Sequence, residues 1–132
     1  MVCVMVVEDE NDVREILVDV LTDAGFEIVE AATADVAVAL LQQDDIRLIV
    51  TDIDMPGLLD GIALAKAARQ WCPTIPVVFI SGRPARLEEA KSTVDPAEFF
   101  SKPFRLAKLV ADVERLTVTQ GIQSRSRCEP NC

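Results

Sequence analysis

Leu48-Ile49-Val50-Thr51-Asp52-Ile53-Asp54-Met55-Pro56-Gly57 is an apolar run that ends abruptly in acid. Its first half is β-branched without a helical period and reads as a buried strand; Asp-Met-Pro-Gly reads as the loop that follows. Asp52 then stands at the carboxyl end of a strand, where open parallel sheets place their ligands. Taken alone, Asp52 and Asp54 suit turn or capping positions equally well. The rest of the chain decides between the two readings.

Working outward, strand-like and helix-like segments alternate. Residues 3–7 are continuously apolar and lead into Glu8-Asp9-Glu10, a second strand tipped with carboxylates. Val13, Ile16, Leu17, Val20 and Leu21 recur at helical spacing, with Asn11 or Asp12 as the expected N-cap and Gly25 just past the end. Residues 26–31 form a short strand, and residues 33–43 an alanine-rich helix broken by Asp44-Asp45. Beyond the Asp52 strand, Asp60 can cap a helix over residues 61–71 that Pro73 stops. Residues 75–80 are a further apolar strand ending in Ser81-Gly82, and residues 85–93 a charged helix with a thin apolar stripe. Residues 98–101 give a fifth strand ending at Lys102-Pro103, before Leu106, Leu109, Val110, Val113 and Leu116 mark a last amphipathic helix.

Five strands alternating with five helices imply a doubly wound α/β domain, since parallel neighbours need crossovers and a parallel sheet is covered on both faces. Residues 1–117 are expected to form this unit and residues 118–132 a polar, flexible tail that buries too little apolar surface to order itself. A chain of 132 residues, half of them apolar, fits one domain. The formal charge of -9 argues against electrostatic binding to DNA or to an anionic membrane. No apolar run reaches membrane-spanning length and no leader pattern is present, so a cytoplasmic location is expected. With no histidine and only one close cysteine pair, Cys128 and Cys132, a zinc site is excluded, and all four cysteines are expected as thiols.

The chemistry lies at the strand tips: Glu8 and Asp9, Asp52, Ser81 and Lys102 gather at one sheet edge. Three converging carboxylates repel one another unless a cation lies between them. Hard oxygen ligands without imidazole or thiolate favour Mg2+, with Mn2+ as a substitute. A lysine and a hydroxyl beside such an ion suit a phosphoryl group, and a carboxylate nucleophile makes the reaction class phosphoryl transfer.

Together, Glu8-Asp9, Asp52 followed by Met55-Pro56-Gly57, Asp60-Gly61, Ser81-Gly82 and Lys102-Pro103-Phe104 resemble the receiver domain of two-component response regulators, of the chemotaxis-regulator type, over about residues 2–116. The resemblance implies a flavodoxin-like sheet of order 2-1-3-4-5 and phosphorylation of Asp52 by a histidine kinase or a histidine phosphotransfer protein. It implies Mg2+ held by Asp9 and Asp52 with help from Glu8 and the backbone carbonyl of Asp54. Ser81 and Lys102 would contact the phosphoryl group, and Phe99 would swing in concert with Ser81. Asp54 and Arg83 occupy positions that modulate hydrolysis. The implied output is a change on the face of the fourth helix, fifth strand and fifth helix, read by a downstream protein or a second copy of the chain.

Two departures from the family pattern are the longer loop Gly57-Leu58-Leu59-Asp60 and Val94-Asp95-Pro96-Ala97 before the fifth strand. The stretch after the last helix is too short for a helix-turn-helix domain, so direct DNA binding is not expected. A stand-alone regulator that assists its own phosphorylation without turning over a substrate is the favoured reading. A pseudo-receiver that only binds, and a small phosphatase with an Asp nucleophile, are the alternatives.

Overall fold

Every residue of β1 (Cys3–Val7), β3 (Leu48–Asp52) and β4 (Val77–Ser81) is buried, as continuous apolar runs demand of a sheet covered on both faces. A computed structural model of the chain describes residues 2–43 and 45–123. The remaining strands are β2 (Glu27–Ala31) and β5 (Glu98–Ser101), and all neighbours pair in parallel in the order β2-β1-β3-β4-β5. The doubly wound expectation, including strand order, is met.

Alternate residues of each strand feed different cores, because successive side chains leave a strand on opposite faces. Met5, Val7, Ile49, Ile53, Val77 and Phe79 pack beneath α2 (Ala34–Leu41), α3 (Gly61–Trp71) and α4 (Pro84–Thr93). Val4, Val6, Val50, Val78, Ile80 and Phe100 pack beneath α1 (Asn11–Asp23) and α5 (Leu106–Gln123). Each fully buried aliphatic side chain contributes about 1.5–3 kcal/mol, so both layers are needed to hold the sheet in place.

Several boundaries differ from the sequence reading. The N-cap of α1 is Glu10, without a side-chain cap bond; Asn11 Oδ1 instead accepts from Arg14 Nη2 at 2.6 Å, and Asp12 lies in the first turn. The β4 strand begins at Val77 because Ile75 N–H closes a turn onto Cys72 O and Pro76 has no N–H to give the ladder. Helix α5 continues through Gln123, past Leu116. Its buried Thr117 donates to Val113 O at 2.8 Å, so the hydroxyl is satisfied within the helix. Cys72 is disulfide-bonded, which corrects the thiol expectation there; Cys3 is a buried thiol, and Cys128 and Cys132 lie outside the described residues.

Gly25 has φ +102, a left-handed conformation that closes α1, with its N–H donating to Thr22 O. Asp60 is the expected N-cap of α3, accepting from Ala63 N at 2.9 Å. None of the helices is long and apolar enough to cross a membrane, among the described residues.

Candidate functional site

The order β2-β1-β3 places a reversal of chain progression at β1, and the crevice outside the carboxyl ends of β1 and β3 is where a ligand is expected. Glu8 and Asp9 follow β1 directly, and Asp52 is the last residue of β3. The structure brings the three together: one carboxylate oxygen from each lies within 4.8 Å of the others. Glu8 and Asp52 are buried, while Asp9 is exposed at the rim.

Lys102, immediately after β5, reaches into this crevice. Its Nζ donates to Asp52 Oδ2 at 3.2 Å and lies 3.5 Å from Glu8 Oε1. Glu8 Oε2 accepts from Glu10 N at 3.2 Å, whereas Glu8 Oε1 is buried with no hydrogen-bond partner. A buried carboxylate oxygen left without a donor is costly. Offset only by the Lys102 ammonium 3.5 Å away, and with carboxylate oxygens of Asp9 and Asp52 gathered beside Glu8, this set of hard oxygen donors fits Mg2+.

Burial and then the neighbouring negative charge of Asp52 push the Glu8 carboxyl up to about 7. Asp52 is also raised: its burial outweighs the opposing pull of Lys102. For Lys102, burial works against the charged form, but Asp52 and Glu8 prevail and the net shift is upward. Both carboxyls are thus shifted towards their neutral forms, as burial of like charges side by side demands.

Ser81 closes β4, and the Lys102 N–H donates to its carbonyl. Its hydroxyl is engaged away from Asp52: Oγ accepts from Arg83 N at 3.0 Å, with Arg83 O at 3.3 Å and Asp54 Oδ2 at 3.4 Å as acceptors. Arg83 is largely exposed and pairs with Asp54 Oδ1 at 3.5 Å. Phe99 is half-buried and stacked on Phe79, with ring centroids 5.6 Å apart, and Lys91 Nζ lies 5.5 Å above its centre.

Three residues that sequence reasoning missed hold the site from outside. Arg14 on α1 donates to the Glu8 carbonyl at 2.7 Å and to Glu30 at 3.1 Å, fixing the loop that carries the acid pair. Asp35 in α2 accepts from Leu58 N at 3.2 Å, pinning the loop beyond Asp54 where Gly57 takes φ +117. Arg86 on α4 binds both Asp54 and Asp60. None carries a local signal except Arg14, whose partner Asn11 lies three residues earlier on the same helix.

The sequence pattern of the response regulator receiver domain matches residues 4–114. The chain belongs to this family. Its relatives include the response regulator receiver protein CpdR of Brucella abortus, 34% identical over 116 residues that cover 87% of this chain and 96% of that protein. Other relatives are longer: the matched region spans only 24% of a putative NtrX-like response regulator of Rickettsia bellii. A receiver protein of Sinorhizobium medicae superposes with a TM-score of 0.83 at 32% identity, covering 90% of this chain and 96% of that one. Response regulator TrrA of Thermotoga maritima, solved in complex with Mg(2+)-BeF, gives 0.79 at 26% identity over 88% of this chain and 99% of that one. The chain is thus a receiver domain of two-component signalling, a kind of module that generally transmits signals rather than turning over substrates.

Proposed function

We propose that Asp52 is the phosphoacceptor of a two-component phosphorelay and that phosphorylation switches the α4-β5-α5 face to control a partner. The observation that carries this is convergence: Lys102 Nζ, Glu8 and Asp9 all close on Asp52 at the mouth of β3. In the transfer, an Asp52 carboxylate oxygen attacks phosphorus; a P–O bond forms as the P–N bond to the histidine of a kinase or phosphotransfer protein breaks, and the imidazole leaves. Lys102 supplies positive charge beside the transferred oxygens. Glu8, Asp9, Asp52 and the backbone carbonyl of Asp54 are assigned to Mg2+, which when bound neutralises the acids and the developing phosphoryl charge. Mn2+ is an acceptable substitute.

After transfer, the Ser81 hydroxyl leaves Arg83 and Asp54 for the phosphoryl group, and Phe99 repacks with it. Phe99 has no hydroxyl to offer, so its message is one of shape. Arg83 and Asp54 set how water reaches the phosphoryl group. The domain is assigned to residues 1–117; of the tail expected over 118–132, residues up to Gln123 belong instead to α5 and the rest lie outside the described residues, and the domain is expected to work in the cytoplasm without direct DNA or membrane contact. A second copy of the chain is the alternative to a downstream protein on the output face.

Intact mass after incubation with acetyl phosphate, with and without Mg2+, tests the assignment. A single Mg2+-dependent phosphoryl adduct, absent in Asp52→Ala, is expected. No adduct under any condition would favour a binding-only module, and repeated release of phosphate from a small phosphoester would point to a phosphatase.

A further inference from the structure

We infer that Arg86 is a positioning residue that holds the Ser81 switch in its unphosphorylated arrangement by gripping Asp54 and Asp60 from α4; this rests on the function proposed above. The Arg86 side chain as a whole is mostly withdrawn from water, with 19% of its surface exposed. Its Nε donates to Asp54 Oδ1 at 3.0 Å, one terminal nitrogen to Asp60 Oδ2, and the other to Glu89 at 2.5 Å. A rigid planar fork satisfied by three carboxylates restrains all of them, which a flexible ammonium does not do.

The consequence runs through Asp54. Held from one side by Arg86, its carboxylate presents the other oxygen to Ser81 Oγ at 3.4 Å. That acceptor, together with the Arg83 backbone, competes with a phosphoryl group for the one proton Ser81 can donate. Asp60 is the N-cap of α3, so the same fork ties the first turn of α4 to the start of a second helix. To bring Ser81 inward, the β4–α4 turn must be freed from this anchorage. A state stabilised only in the unphosphorylated form raises the cost of the switched form by the same amount.

The test uses beryllofluoride with Mg2+ as the phosphoryl mimic, titrated by isothermal calorimetry into the full chain. Arg86→Lys keeps the charge but loses the fork, and Asp60→Asn keeps a competent helix cap but weakens one arm. Arg86→Lys is expected to bind the mimic at least about fivefold more tightly than the wild type, a size ordinary for coupling between conformational states. Asp60→Asn should shift in the same direction by less. In the metal-free protein, Arg86→Lys should also speed amide exchange at Arg83, whose N–H rests on Ser81 Oγ. If the wild type binds the mimic and both variants bind it equally well or more weakly while remaining folded, the inference fails and the phosphoacceptor reading stands. If the wild type does not bind it, both fail.

Discussion

Gly61 packs against the carbonyl oxygen of Asp52 so closely that a Cβ at that position would overlap it and would also lie 2.9 Å from the α-carbon of Ile53. The Gly61 N–H donates to Ile53 O at 2.9 Å, so the start of α3 is bolted to the end of β3 next to the Asp52 carboxylate. Gly61→Ala should therefore cost about 1–3 kcal/mol, as overpacking does, and slow acetyl phosphate labelling by displacing Asp52. Urea unfolding and intact mass check the two effects separately. Gly25→Ala, where nothing lies within 4 Å but φ is +102, should lose stability while labelling normally.

Removing Lys102 separates catalysis from metal binding. Lys102→Ala should reduce the labelling rate by about a hundredfold, the loss usual when a donor to developing charge is deleted. Mg2+ affinity should hold or rise, because the ammonium 3.2 Å from Asp52 no longer competes for the same oxygens. Stopped-flow labelling and calorimetric Mg2+ titration read the split.

Glu8 makes metal-free stability depend on pH in a sense opposite to ordinary salt-bridged acids. Its folded carboxyl titrates at about 7 against an unfolded value of 4.5, so between those limits the folded state holds more protons, and its stability falls as pH rises. Asp52, also raised, acts in the same direction. In chelator, denaturation midpoints should drop from pH 5 to pH 7, and Glu8→Gln should remove part of the slope. Mg2+ affinity should increase over the same interval, since the ion takes the deprotonated cluster.

Phe99→Ala should leave labelling of Asp52 intact and abolish phosphorylation-dependent changes on the α4-β5-α5 face. The ring is stacked on Phe79, so the substitution also opens a gap, costing somewhat less than the roughly 3–5 kcal/mol of a fully buried Phe→Ala. Amide shifts on addition of beryllofluoride and Mg2+, compared with the wild type, measure the coupling; unchanged propagation to β5 and α5 would count against it.

The strands and the acid cluster were legible because they rest on local patterns: continuous apolar runs, each ended by a polar residue whose position follows from parallel topology. Asp60 was readable as a cap for the same reason. Its second role was not, since Arg86 lies 26 residues away and its grip exists only once α4 lies beside the β3–α3 loop. Asp35, 23 residues from Leu58, was hidden likewise. The α1 cap misled because Asn11 and Asp12 are both good capping types, yet the Asn11 side chain is engaged by Arg14 one turn along the same helix.

Phe79 and Phe99 are register partners, as are Ser81 and Ser101 two residues on, so ring and hydroxyl project from the same side of the sheet, toward α4. The two cores are thereby unequal in what they must tolerate. Beneath α1 and α5, Leu17, Leu21, Leu109 and Val113 belong to a layer that neither switch residue enters; it is the chassis. Under the proposed switch, repacking that layer should let stability be raised or lowered almost as a free parameter, while the layer under α4 would have to keep two arrangements close in energy and would be the poorer place to make the molecule more robust.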